Sequence, residues 1–236
     1  MVQTPGDSRS AAALARNERY VREFVEAFRL CPYAKRCRET GKLHRAVLLD
    51  EGGVPGTPGF DTAVTALADA IARFELLSPD SIDVGLILLP ALVPALARGL
   101  DGAHAFERLV SAARERTEAR HGGGDTPFYC VPFHPGFAED LRNEHRAVRF
   151  IRRSPDPTVQ LVRASVLRVV RDTVPGRPHF IDVSKLNAAE LLAITVPFSV
   201  SDRIARANLH TLHREGHDRP RELLRDIRAH ARQPDE

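Results

Sequence analysis

Residues 81–89 read Ser-Ile-Asp-Val-Gly-Leu-Ile-Leu-Leu and run into Pro90. Ile82, Val84 and the unbroken run 86–89 form an apolar segment of strand length, as expected of a strand covered on both faces. Upstream, Val64, Leu67, Ala68 and Ile71 share one face of a helix that Asp61 can cap. Before it lie the turn-rich stretch 51–59 (EGGVPGTPG) and a short strand over 43–49. The first helix spans about 11–30, with Val21, Phe24, Val25 and Phe28 at i, i+3, i+4 and i+7; it ends at Cys31-Pro32, because proline disfavours helical backbone in the residue before it. Downstream, a helix over 104–120 carries Phe106, Leu109, Val110 and Ala113, stops at three glycines from 122, and gives way to a strand over 128–133. A loop is expected over 134–157. Pro157 and Thr158 then open a further helix to about Arg171 through Val159, Val162 and Val166, and the rest is mostly helical, including 200–215.

This alternation places the chain in the α/β (α+β) class, as a single layered domain, either ferredoxin-like or a short doubly wound sheet packed with several helices. Residues 1–9 read as a flexible tail, 10–217 as the single α/β domain, and 218–236 as a C-terminal polar helix or tail. No internal repeat or composition shift divides the chain.

Composition narrows the function classes. At 236 residues, with 43% hydrophobic and 28% charged residues, the chain can bury a core without staples. Its longest apolar run, 82–100, is broken by Asp83, Pro90, Pro94 and Arg98, which argues against a membrane partner. The net charge of +3 is spread over 34 cations and 31 anions, a poor footprint for nucleic acid. Three cysteines, Cys31, Cys37 and Cys130, and no signal segment point to a reducing, cytoplasmic setting. The sequence leaves the oligomeric state open.

Four motifs recur in order: Arg29-Leu30-Cys31-Pro32-Tyr33-Ala34, then Val131-Pro132-Phe133-His134-Pro135-Gly136, then Arg152-Arg153-Ser154-Pro155-Asp156-Pro157 with Leu161-Val162-Arg163, and late in the chain 203–216 (RIARANLHTLHREG). Over residues 15–216 the chain resembles a bacterial family known only as a domain of unknown function, numbered fourteen-fifteen. The family's Cys-Pro-Phe-Ala is similar to Cys31-Pro32-Tyr33-Ala34, its Phe-His-Pro to Phe133-His134-Pro135, and its Arg-Ser-Pro-x-Pro to Arg153 through Pro157. This chain has Arg152 where the family pattern carries asparagine. The family's name implies no activity.

Cys31, fixed by Pro32 at a helix end, can serve as nucleophile or metal ligand. Cys37 follows at a spacing poorly suited to structural zinc, and Cys130 suits core packing. His134 leaves a strand end into a stiff turn, where α/β proteins place ligands, and is the leading catalytic or metal-ligating candidate. Arg149, Arg152, Arg153 and Arg163 are expected to meet an anionic group, with Tyr33 and Ser154 beside them. His210, His213 and His217 read as surface residues. No phosphate-binding glycine loop, G-x-S-x-G or H-E-x-x-H is present.

The expectation is a small-molecule redox enzyme, of oxidoreductase or oxygenase type, with a metal centre. Haem ligated by His134 or Cys31 is the suspected cofactor, and the substrate is anionic. Two alternatives stand: a cofactor-free Cys31/His134 enzyme acting on an acidic small molecule, and a non-catalytic ligand-binding protein.

Overall fold

The computed structural model describes residues 8–31, 33–92, 94–123, 126–166, 200–216 and 218–229. Four strands, β1 (Leu43–Val47), β2 (Val84–Leu88), β3 (Phe128–Phe133) and β4 (Thr158–Arg163), form one sheet in the order β1-β2-β4-β3. The layered α/β architecture stands, on a mixed sheet. β1 and β2 run parallel, as in a wound sheet, with Leu43 opposite Val84. β4 is antiparallel to both neighbours, pairing Leu88 with Thr158 and Phe133 with Thr158.

The sheet is covered on both faces, which explains the near-continuous apolar reading of β2. Ile87, Val159, Leu161 and Phe128 meet α3 (Pro58–Glu75) and α5 (Gly99–Arg120) through Leu67, Ile71, Phe106 and Leu109. Val47, Leu86 and Leu88 face the other way, against α1 (Ser8–Arg19), α6 (Glu144–Ile151), α7 (Val200–Glu215) and α8 (Asp218–Ala229). Two short helices, α2 (Ala34–Glu39) and α4 (Pro94–Ala97), complete the described elements. None of the helices among the described residues is long and apolar enough to cross a membrane.

The structure departs from the sequence expectations at several places, each with a physical reason. The helix expected from Pro157 is a strand: Val159, Leu161 and Arg163 are buried while Gln160 and Val162 are less so, a period of two. The Val159/Val162/Val166 spacing fits a helix as well, but β-branched residues flanked by two partner strands gain a ladder on each side. The part of that expected helix beyond residue 166 lies outside the described residues. The expected loop 134–157 contains α6, whose Asn143 cap accepts a hydrogen bond from the Arg146 N–H at 3.0 Å. The first helix changes form at Tyr20 and continues as a π-helix over Tyr20–Glu26. Residues 218–229 form the helix α8, whose Leu224 and Ile227 enter the second core.

Candidate anion-binding site

The carboxyl ends of β2 and β3 and the start of β4 lie at one end of the sheet. There the second and third motifs meet. The His134 N–H donates to the Arg152 carbonyl at 2.9 Å, tying the end of β3 to the end of α6. The buried Ser154 hydroxyl donates to the Asp156 carbonyl at 2.5 Å, and the Asp156 carboxylate takes both forks of Arg16 at 2.8 Å.

His134 is fully enclosed. Its Nε2–H donates to the Leu96 carbonyl at 2.8 Å, and its Nδ1 accepts the Gly136 N–H at 3.0 Å, so both ring nitrogens are engaged. Phe106 and Phe137 flank the ring at 5.5 and 5.9 Å. Burial, reinforced by the nearby charge of Arg228, lowers its pKa to about 4, leaving a neutral imidazole. A Cβ on Gly136 would run into the Gly99 backbone, which is why glycine closes this turn. The expected ligand or base is therefore placed as a sealed bridge between a strand end and the segment before α5.

The other expected residues divide. Arg153 donates from Nε and Nη2 to the Pro135 carbonyl at 3.2 and 3.1 Å and pairs through Nη1 with Glu139. Arg149 sits 3.1 Å from Glu107 and stacks 5.3 Å from the centre of the Phe137 ring. Arg152 has no carboxylate within ion-pair distance among the described residues; burial lowers its pKa, and Tyr20 and Glu107 only partly oppose it. Arg163 does not join them. It lies at the far end of β4, five residues or about 16 Å from Thr158, with Nε on the Ile82 carbonyl at 2.9 Å and its guanidinium 4.5 Å over Phe128.

Tyr20, at the start of the π-helix, donates its hydroxyl to the Ile151 carbonyl at 2.8 Å. Burial raises the Cys31 pKa, and the Tyr33 and Ala34 N–H groups only partly oppose it. No hydrogen bond joins Cys31 to His134 among the described residues, whose ring nitrogens are taken by Leu96 and Gly136. Tyr33 is 37% exposed at the start of α2. Cys37 is buried, and Cys130 faces Leu161 across the β3–β4 pair. His210 and His213 are exposed on α7, as expected, and His217 lies outside the described residues. Among the described residues no three His, Cys, Asp or Glu side chains gather into a metal-binding group.

The arginines that matter most come from α8. Arg221, Arg225 and Arg228, with Arg153, Glu139 and Leu224, line a cavity of about 210 Å³. Glu139 is ion-paired with Arg221, whose Nε lies 2.7 Å from its carboxylate, as well as with Arg153. Arg228 Nη2 donates to the carbonyls of Pro135 at 3.2 Å and Ser154 at 3.5 Å, while its buried Nε has no partner among the described residues. Burial lowers the pKa of both Arg228 and Arg153, the latter to about 10, where Arg228 and Arg221 add like-charge repulsion. The signal for these residues was present: Arg221, Arg225 and Arg228 stand at i, i+4 and i+7, one helical stripe beside the buried Leu224 and Ile227.

The chain belongs to the family described as Protein of unknown function (DUF1415). The family's model matches residues 12–196. Those residues supply Glu139 and Arg153 to the cavity, whereas the three α8 arginines lie beyond the match. No curated protein and no solved structure matches the chain.

Proposed function

We propose that this protein binds a small anionic molecule in the cavity between α8 and the segment that links β3 to β4. One observation carries the proposal: four guanidiniums line the cavity against a single carboxylate. Arg153 and Arg228 are drawn out of water beside like charges, a cost that a bound oxyanion offsets, and planar guanidinium forks match carboxylate and phosphate oxygens. The volume, about 210 Å³, lies below the ~300–1,000 Å³ typical of pockets for drug-sized ligands, so the ligand is a charged head with few further atoms.

Ligation of a haem iron by His134 would require the ring to surrender the Leu96 or the Gly136 bond inside a closed environment. A thiol–imidazole pair of Cys31 and His134 lacks the hydrogen bond that would activate the thiol. Neither has support in the geometry comparable to the arginine cavity.

Isothermal titration with orthophosphate, acetate and a small dicarboxylate, at low and high salt, tests the proposal. At least one anion gives saturable heat that weakens with salt and falls at least tenfold in affinity in Arg225→Ala, a substitution at an exposed position. Flat titrations with all three would refute it.

A further inference from the structure

We infer that Glu139 is an internal stand-in for the ligand, and that the ligand is a compact, multiply charged oxyanion of phosphate type that displaces it. This rests on the anion-binding proposal and adds the class of anion and the manner of its entry.

Glu139 sits in an irregular segment between β3 and α6, and its two carboxylate oxygens are divided between Arg153 Nη1 and Arg221 Nε. It thus already performs, within the chain, what a bound oxyanion would do there. Arg225 and Arg228 line the same cavity but have no ion pair with Glu139 or with any other carboxylate among the described residues. A free anion carrying one charge would exchange like for like against a tethered competitor, which holds an effective concentration of about millimolar or more. A phosphate head differs in two ways. It carries more charge, and its oxygens point in several directions, so it can take over Arg153 and Arg221 while engaging Arg225 and Arg228. The Glu139 side chain is 38% exposed, so it can turn to water when displaced. No covalent step is involved.

The test compares wild type, Glu139→Gln and Glu139→Asp by titration with orthophosphate, glycerol phosphate and acetate at pH 8, where a phosphate monoester is dianionic. Thermal unfolding of each protein with and without phosphate accompanies it. Wild type is expected to bind phosphate and to show no measurable acetate binding. Glu139→Gln should bind phosphate about tenfold tighter and acquire acetate binding. It should also melt lower without ligand and gain more from phosphate than wild type does, because the anion replaces the missing cross-link. Glu139→Asp, with its carboxylate drawn back by one methylene, should tighten phosphate by less, and carries the comparison if the glutamine variant does not fold. Tighter binding of orthophosphate identifies the free ion as the ligand, and tighter binding of glycerol phosphate identifies an ester. Phosphate affinity that is unchanged or weaker in both variants overturns the inference and leaves the anion site standing. Absence of binding by all three anions in every protein overturns the anion site itself.

Discussion

Arg153 and Arg228 converge on one acceptor, the carbonyl oxygen of Pro135, which they approach at 3.1 and 3.2 Å. Two guanidiniums from distant parts of the chain thus share a neutral oxygen, and Glu139 neutralises only Arg153 of the two. A carbonyl offers each cation a hydrogen bond but no countercharge, and Arg228 has no carboxylate within ion-pair distance among the described residues and feels Asp156 only from further off. That distinguishes it from Arg16 and Asp156, a bidentate ion pair that is complete as it stands.

Arg228→Met should therefore separate binding from folding. Losing the guanidinium removes two hydrogen bonds but also a repulsion felt at Arg153, and methionine keeps an unbranched stem of similar length. The expected change in unfolding free energy is within about 1 kcal/mol, against at least a tenfold loss of phosphate affinity. Urea unfolding and titration on the same preparation measure the two; a large stability loss with intact binding would refute the assignment.

His134 predicts a pH dependence. Its folded pKa lies near 4 against an ordinary 6.5, so between those values the unfolded chain binds the proton and the folded chain does not. Stability is then full above about pH 6.5 and falls as pH drops toward 4. The contribution is of order 3 kcal/mol. Urea unfolding at pH 7 and pH 4.5 should show a larger stability loss in wild type than in His134→Gln, which carries no titrating group at that position. Equal losses in the two proteins would show that His134 is not the source. The imidazole resonances of His134 should not titrate between pH 5 and 8.

Much of the fold is legible because three strands are written locally. Residues 84–88 and 128–133 are short, mostly apolar runs, 43–47 is a short mixed segment ahead of a turn-rich stretch, and each forms a strand within the expected span. β4 was hidden because Val159, Val162 and Val166 satisfy a helical spacing too, and the deciding factor is non-local: partner strands on both sides. The site divides in the same way. The motifs around His134 and Arg153 do come together, yet what the sequence could not show is that both His134 nitrogens would be consumed by backbone groups at Leu96 and Gly136. The α8 arginines lie in a segment that reads in the sequence as a polar helix or tail, and their partner across the cavity, Glu139, lies 82 residues before Arg221 and shares no local pattern with it.

Arg163 is expected to behave as a structural residue. It is buried at the sheet end opposite the cavity, bonded to the carbonyls of Ile82 and Leu77 and stacked on Phe128. Arg163→Met leaves those carbonyls without their donor and should cost about 2–4 kcal/mol, while the folded variant binds phosphate within twofold of wild type. Loss of affinity without loss of stability would place Arg163 in the binding machinery after all.

Cys31 should be a slow thiol. Burial holds its pKa above the ordinary value, and although the Tyr33 and Ala34 N–H groups face the sulfur, they do not overcome the desolvation. Only the thiolate attacks an alkylating agent, so at pH 7.5 iodoacetamide should label Cys31 at least tenfold more slowly than it labels glutathione, with the rate still rising beyond pH 9. Cys130, whose pKa burial raises to about 11, should lag as well. Peptide mapping after timed labelling separates the sites. Cys31→Ser should leave phosphate affinity unchanged, since the sulfur does not line the arginine cavity. Rapid labelling of Cys31 at neutral pH, suppressed by a bound ligand, would instead mark an activated nucleophile and restore the thiol to the centre of the chemistry.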